Sequence, residues 1–202
     1  MCRRPTWMSM LLAGLAMLSV QCNSGTPPQL GSAPLVLPAD QWGVASCHPW
    51  RYIVVHHSAT ATGSAAEFDK MHRARGWDEL GYHFVIGNGT GSGDGQVEVG
   101  PRWRSQKWGA HTGHTPDNEY NNFGIGICLV GDFTADMPTP AQLAALRSLT
   151  LYLAARYGIP VKNVIGHRDA PNATTQCPGD QLWDYVHNTL RPDLPALMAG
   201  GG

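Results

Sequence analysis

The sequence lacks an excess of basic residues. Lysine and arginine together number 14, against 15 aspartates and glutamates, so the formal net charge is −1 at pH 7. Proteins that bind nucleic acids neutralise phosphates with clustered basic side chains. Charged residues make up only 14% of the chain and hydrophobic residues 43%. The composition therefore argues against a nucleic-acid partner and is typical of a globular protein with a weakly charged surface.

Long apolar runs are also missing. The longest, residues 8–20, is mostly apolar, but a bilayer core of about 30 Å needs roughly 20 such residues in a helix. This run follows two arginines and leads into Leu18-Ser-Val-Gln-Cys22, which resembles a bacterial lipoprotein signal. We predict a signal peptide over residues 1–21 and export to the cell envelope or periplasm. A lipid anchor at Cys22 is the favoured expectation, and plain secretion or an uncleaved apolar tail are the alternatives.

The five cysteines are an odd number, which excludes a fully paired disulfide framework in the intact monomer. Cys2 would leave with the signal peptide. Cys128 lies in an apolar run and is expected in the core. A disulfide between Cys47 and Cys128 is a less favoured alternative.

One domain with appendages is expected from the length of 202 residues. Residues 22–45 are rich in proline, glycine and serine and predict a flexible linker. The folded domain is predicted over residues 46–195, followed by a disordered tail at 196–202. No internal repeats are found, and we expect a monomer.

Apolar runs and capping signals alternate along this domain. Strands are predicted at residues 51–57, 82–86, 96–99, 125–130 and 163–165, and helices at 64–76, 139–158 and 180–190. The first helix is expected to turn Phe68 and Met71 towards the core. Residues 101–123 have no clear period and predict a long surface loop. Interleaved strands and helices indicate an α/β fold, a single domain with a mixed central β-sheet flanked by α-helices.

The stretch from Val164 to Gly179 carries the strongest chemical signal. His167 follows the end of a strand, and Cys177 lies ten positions later in a turn-rich polar loop. An imidazole and a thiolate so placed can share one zinc ion, with His56 at the end of the first strand as third ligand. Three protein ligands leave one tetrahedral position for water, as in catalytic zinc sites. His57 must point to the other face of its strand.

Six short motifs also resemble those of one enzyme family. They are Ile53-Val-Val-His-His-Ser-Ala-Thr60, Gly76-Trp77, Gly81-Tyr-His-Phe84, Ala110-His-Thr112, Gly124-Ile-Gly-Ile127, and Gly166-His-Arg-Asp169 followed by Thr175-x-Cys-Pro-Gly179. Over about residues 47–190, the chain is similar to the zinc-dependent N-acetylmuramoyl-L-alanine amidases, which include the T7-type phage lysozyme and the peptidoglycan recognition proteins. The resemblance implies a zinc cleft on one side of the sheet.

The resemblance further implies a reaction and its residues. The reaction is hydrolysis of the amide between N-acetylmuramic acid and L-alanine of the peptidoglycan stem peptide, with one zinc ion held by His56, His167 and Cys177. Tyr82 occupies the family's catalytic tyrosine position, where a phenol can hydrogen-bond the attacking water or the oxyanion. Thr175 matches a threonine of the catalytic recognition proteins, and its hydroxyl can donate to the developing oxyanion.

Four further positions are candidates for substrate binding. Trp77 and Arg102 are similar to the tryptophan and arginine that read meso-diaminopimelate in recognition proteins, and His111 and Asn121 match substrate-facing positions. A core role for Trp77 and a solvated loop charge for Arg102 are the alternatives. The expected partner is therefore peptidoglycan, as a muramyl peptide, with the diaminopimelate type favoured and the lysine type as the alternative.

A non-catalytic peptidoglycan-binding receptor on the same fold is the alternative function. Non-catalytic relatives typically lose the cysteine or the tyrosine. Cys177 and Tyr82 are both present, so the sequence favours the enzyme.

Overall fold

Five strands form the centre of the protein in a computed structural model that describes residue 42 and residues 48–200. The strands are β1 Tyr52–His57, β2 Phe84–Ile86, β3 Val97–Val99, β4 Gly124–Leu129 and β5 Val164–Gly166. The helices are α1 Ala65–Ala74, α2 Pro101–Ser105, α3 Glu119–Asn122, α4 Pro140–Tyr157, α5 Asp180–Tyr185 and α6 Arg191–Gly200. A π-helical turn, Val186–Leu190, joins α5 to α6.

The sheet is mixed, as the sequence predicts. Its strand order is β3-β2-β4-β1-β5. The pairs β1–β4, β1–β5 and β2–β4 are parallel, whereas β2–β3 is antiparallel. Because β1 is flanked by β4 and β5, the carboxyl ends of these three strands lie side by side at one edge of the sheet.

The two faces of the sheet differ in what covers them. Successive side chains of a strand point to opposite faces, so Ile53 and Val55 of β1 enter the large hydrophobic core, together with α4 and the C-terminal helices. His56 points to the other face, where its register partner is Cys128 on β4. That face carries only a small apolar cluster among the described residues, which includes Cys128 and Phe68 of α1. The second face is therefore less apolar than the first, and it can hold a polar site.

Helix α4 fits its sequence signals. The Thr139 hydroxyl accepts from the Gln142 N–H at 3.0 Å, and the Gln142 side chain accepts from the Thr139 N–H at 3.2 Å, which completes a capping box. Gly158 ends the helix in the left-handed conformation, with φ of 65°. Leu146 and Leu153 of this helix are fully buried in the large hydrophobic core.

Residues 101–123 are not simply a surface loop. They contain α2 and α3, and Trp103 is only 1% exposed and packs in the large core. Helices of four or five residues are too short to show a helical period, so the pattern gave no sign of them. Met71 also differs from the prediction, since it is 43% exposed and lines a surface groove beside α1. The adjacent His72 is buried instead.

The folded domain reaches beyond both of the ends predicted for it, residues 46 and 195. Trp42 was assigned to the linker, yet it is 4% exposed and its carbonyl accepts from the Trp103 indole N–H at 2.8 Å. Helix α6 continues through residues 196–200, where a disordered tail was predicted, because Leu194 anchors it in the core. The predicted signal peptide, the Cys22 anchor, the rest of the linker and Cys47 lie outside the described residues. None of the helices within the described part of the chain has the length and apolarity of a membrane span.

Candidate metal centre

His56, His167 and Cys177 meet at the carboxyl end of the sheet. His56 lies near the end of β1, His167 follows directly after the neighbouring strand β5, and Cys177 is carried by the loop before α5. One ligand atom from each of the three lies within 4.8 Å of the others. Parallel strand pairing thus brings His56 close to Cys177, which lies 121 positions later in the chain.

The spacing of His56 and Cys177 fits a tetrahedral zinc ion. The Nδ1 atom of His56 lies 3.6 Å from the sulfur of Cys177. Zinc bonds of about 2.3 Å to sulfur and about 2.0–2.1 Å to nitrogen, at a tetrahedral angle, place the two ligand atoms roughly 3.6 Å apart. Two imidazoles and one thiolate are also a donor set that suits zinc.

The loop that carries Cys177 is held by Arg168. The Arg168 backbone N–H donates to the Cys177 carbonyl at 2.8 Å, and its guanidinium donates to the Gln176 carbonyl at 2.6 Å and to the Asp180 carboxylate at 2.7 Å. The backbone N–H of His57 also points at the Cys177 sulfur, 3.4 Å away. Because Arg168 directly follows His167, one residue fixes the two halves of the site relative to each other.

The protonation states of the three residues follow from their burial. Burial lowers the pKa of His56 well below its usual value, and the nearby His167 adds to this. Burial also lowers the pKa of His167 to about 4 and raises the pKa of the Cys177 thiol to about 12. At neutral pH the metal-free site therefore holds two neutral imidazoles and one protonated thiol.

Zinc binding is expected to release about one proton at pH 6. Metal ligands must be deprotonated. Burial lowers the pKa of His56 well below its usual value and that of His167 to about 4, and it raises the pKa of Cys177 to about 12. Only the thiol therefore has a proton to lose. Calorimetric titration with zinc in two buffers of different ionisation enthalpy measures the number released. Cys128→Ala serves as the control and should release the same number, and a count near zero or near two would contradict the assignment.

Tyr82 lies beside this cluster on the same face of the sheet. Its ring centroid is 5.2 Å from that of His56, and it packs against the small apolar cluster that contains Cys128. Burial raises the pKa of Tyr82 well above its usual value, and the neighbouring Cys128 and Cys177 sulfurs act in the same direction. The phenol therefore keeps its proton near neutral pH and is available as a hydrogen-bond donor.

Thr175 is partly buried two residues before Cys177. Its hydroxyl oxygen accepts the Cys177 backbone N–H at 3.1 Å. A hydroxyl that accepts one hydrogen bond still has its own hydrogen to donate. Thr175 thus both shapes the Cys177 turn and offers a donor near it.

His111 joins the cluster, whereas Asn121 supports it from behind. The Nδ1 atom of His111 lies 3.1 Å from Nε2 of His56. The Asn121 side-chain oxygen accepts the backbone N–H groups of His111 and Thr112 at 2.7 and 2.9 Å, and its amide donates to the Thr112 carbonyl at 2.7 Å. The Asn121 side chain, predicted to face substrate, is thus engaged within the protein and 7% exposed.

Arg102 is neither a solvated charge nor part of the cluster. It is 2% exposed, and its guanidinium donates to the carbonyls of Leu80 and Trp108 at 2.7 and 2.8 Å and pairs with Asp78. These contacts tie the segment before Tyr82 to the segment before His111. Sequence reasoning could not foresee this because α2, which carries Arg102, has no detectable period.

Trp77 is 39% exposed, which excludes the alternative of a core residue. Its ring lies 4.5 Å from that of His72, a residue that the sequence analysis did not single out. The Nδ1 atom of His72 accepts the Gly81 backbone N–H at 3.0 Å, immediately before Tyr82. No sequence signal marked His72, because a single histidine in a polar helix is usually a surface residue.

Comparisons with known proteins agree with the fold. The family model described as N-acetylmuramoyl-L-alanine amidase matches residues 46–180. The chain is 34% identical to the human N-acetylmuramoyl-L-alanine amidase over 176 residues, which cover 76% of this chain and 28% of the human protein. It is 36% identical to peptidoglycan recognition protein 1 of Bos indicus over 148 residues, covering 68% of this chain and 71% of that protein.

The fold of this chain is also similar to those of solved structures. The endolysin amidase LysCS of Clostridium intestinale is 27% identical, with a TM-score of 0.58 over 71% of this chain and 86% of that one. Bumblebee PGRP-SA is 29% identical, with a TM-score of 0.58 over 71% of this chain and 83% of that one. The chain spans less than a third of the length of the pig, human and mouse amidases that it matches, at 28%, 28% and 30%.

Proposed function

The chain belongs to the N-acetylmuramoyl-L-alanine amidase family, and on that premise we propose that it is a zinc-dependent amidase. Its proposed reaction is hydrolysis of the amide bond between N-acetylmuramic acid and L-alanine of the peptidoglycan stem peptide. The convergence of His56, His167 and Cys177 on one point carries this proposal. A bound zinc ion would supply Lewis-acid activation of water and of the scissile carbonyl near neutral pH.

The candidate site residues have separate proposed roles in this reaction. His56, His167 and Cys177 would hold the ion and leave one tetrahedral position for water or substrate. Tyr82 keeps its phenolic proton and donates it as a hydrogen bond to the oxyanion that develops on the scissile carbonyl. Thr175, whose hydroxyl hydrogen is not used by its bond to the Cys177 N–H, is the second proposed donor.

A muramyl peptide of peptidoglycan is the proposed substrate. Among the similar structures, a tyrosine-to-phenylalanine mutant of Drosophila PGRP-LB, 25% identical with a TM-score of 0.56, is in complex with tracheal cytotoxin. The exposed indole of Trp77 supports a contact with the stem peptide. Preference for the diaminopimelate type rests on Trp77 alone, because Arg102 is engaged inside the protein.

The receptor-like alternative is less well supported. A binding domain without catalysis needs neither three metal ligands nor a protonated phenol beside them. His56, His167, Cys177 and Tyr82 form such a set. We also propose that the protein is exported, with a lipid anchor at Cys22, because of the signal-like residues 1–21.

Incubation with purified peptidoglycan is expected to release stem peptides that begin at L-alanine. Mass spectrometry of the soluble products identifies the new amino terminus. Release should stop after treatment with a zinc chelator and return when zinc is added in slight excess. Binding to peptidoglycan without release, at saturating zinc, would instead favour the receptor.

A further inference from the structure

The ring of His56 lies between two different partners. Its Nδ1 atom is 3.6 Å from the Cys177 sulfur, and its Nε2 atom is 3.1 Å from Nδ1 of His111. An imidazole binds a metal through an unprotonated nitrogen. For Nδ1 to face the cation, the single proton of neutral His56 must therefore be on Nε2.

The hydrogen-bond partner of the His111 Nε2 atom determines which nitrogen of that ring carries the proton. Its Nε2 atom is 3.2 Å from the carbonyl oxygen of Gly124, which can only accept a hydrogen bond. Nε2 of His111 must then be the N–H, and a neutral imidazole has only one. Nδ1 of His111 is left with a lone pair, which accepts the Nε2–H of His56. The chain of contacts from Gly124 to His56 therefore leaves Nδ1 of His56 unprotonated.

The fold makes room for this imidazole. A methyl group at Gly126 of β4, or at Gly109, would overlap the His111 ring. The Asn121 side chain holds the backbone N–H of His111 at 2.7 Å, and His111 is only 8% exposed. Two glycines and an amide that fix one buried side chain indicate a role within the protein.

We propose that His111 is a positioning residue that fixes His56 in the tautomer whose Nδ1 faces the metal. This inference rests on the proposed zinc site, and it replaces the substrate contact predicted for His111. Partners behind a metal-binding histidine orient its ring and set its tautomer, and their loss costs about 10–100-fold in metal affinity.

The tautomer itself is measured without any metal. In the unaltered, metal-free protein with ¹⁵N-labelled histidine, nitrogen–proton correlation NMR at pH 7.5 should show His56 protonated at Nε2 and unprotonated at Nδ1. Assignment uses the His56→Gln variant, which removes the corresponding signals. A proton on Nδ1, or an even mixture of tautomers, would overturn the proposal.

Two variants separate positioning from packing. In His111→Asn, the side-chain oxygen falls near the place of Nδ1 and still accepts from His56, although the contact with Gly124 is lost. In His111→Leu, the bulk is retained but no acceptor remains. Competition with a chromophoric chelator should show zinc affinity lowered about 10–100-fold in His111→Leu and by no more than about threefold in His111→Asn. Equal losses in the two folded variants would contradict the proposed hydrogen bond.

The same titrations distinguish a failure of the proposed zinc site from a failure of the proposed role of His111. If the unaltered protein takes up no zinc, the proposed function fails. If it binds zinc tightly and His111→Leu binds it equally well, only the role of His111 fails. Thermal unfolding of the metal-free variants shows whether each is folded, and the NMR measurement on the unaltered protein does not depend on either.

Discussion

Replacing Cys177 with alanine is expected to abolish amidase activity and to weaken zinc binding by about two to three orders of magnitude. Complete zinc sites in small proteins bind with about 10–16 kcal/mol at pH 7, so one of a few ligands accounts for roughly 3–4 kcal/mol. Loss of the thiolate therefore lowers zinc affinity by about 10²–10³-fold. Metal content after dialysis and the rate of stem-peptide release are the two measurements. His167→Ala should behave in the same way.

The chain offers a matched control for each ligand. Cys128 is also a buried free thiol, and it lies on β4 opposite His56, so Cys128→Ala should keep one zinc ion. His57 is adjacent to His56 but faces the other side of β1, towards Phe133, and His57→Ala should likewise retain zinc. Retention of zinc and activity by Cys177→Ala would remove the thiol from the ligand set and, with it, the basis of the proposed hydrolase.

The three candidate ligands were accessible from the sequence because each belongs to a short motif tied to a strand end. Apolar runs located β1 and β5, and parallel strands place their carboxyl ends at the same edge of a sheet. His167 and Cys177 are close in sequence, so only His56 needed a long-range inference. That inference matches the structure, in which the three ligand atoms lie within 4.8 Å of one another.

The surroundings of the site were less predictable, since they depend on side-chain hydrogen bonds between distant segments. Arg102 was predicted to bind the substrate peptide, yet its guanidinium donates to the carbonyls of Leu80 and Trp108. His111 was expected to face substrate, but the space left by Gly126 on β4 turns it towards His56. Nothing local in the sequence distinguishes a histidine that meets a ligand from one that meets another histidine.

Replacing Tyr82 with phenylalanine is expected to lower kcat about 10²–10³-fold while zinc remains bound. This is the scale for loss of one donor to a developing oxyanion. The ring packs 5.2 Å from His56 and belongs to the apolar cluster with Cys128, so phenylalanine keeps the packing and removes only the hydroxyl. Because that hydroxyl is proposed to bond the transition state and not the ground state, KM should change little.

Tyr120→Phe is the control, since it removes a phenol hydroxyl outside the site. The Tyr120 ring packs against Tyr52, with ring centroids 4.5 Å apart. It belongs to neither the ligand set nor the cluster around Tyr82. The kcat of this control should match that of the unaltered protein. An undiminished rate in Tyr82→Phe would take the phenol out of the mechanism and leave Thr175 as the donor. Loss of zinc from the same variant would mean that the hydroxyl supports the ligands and not the reaction, since the two roles predict opposite metal contents at equal loss of rate.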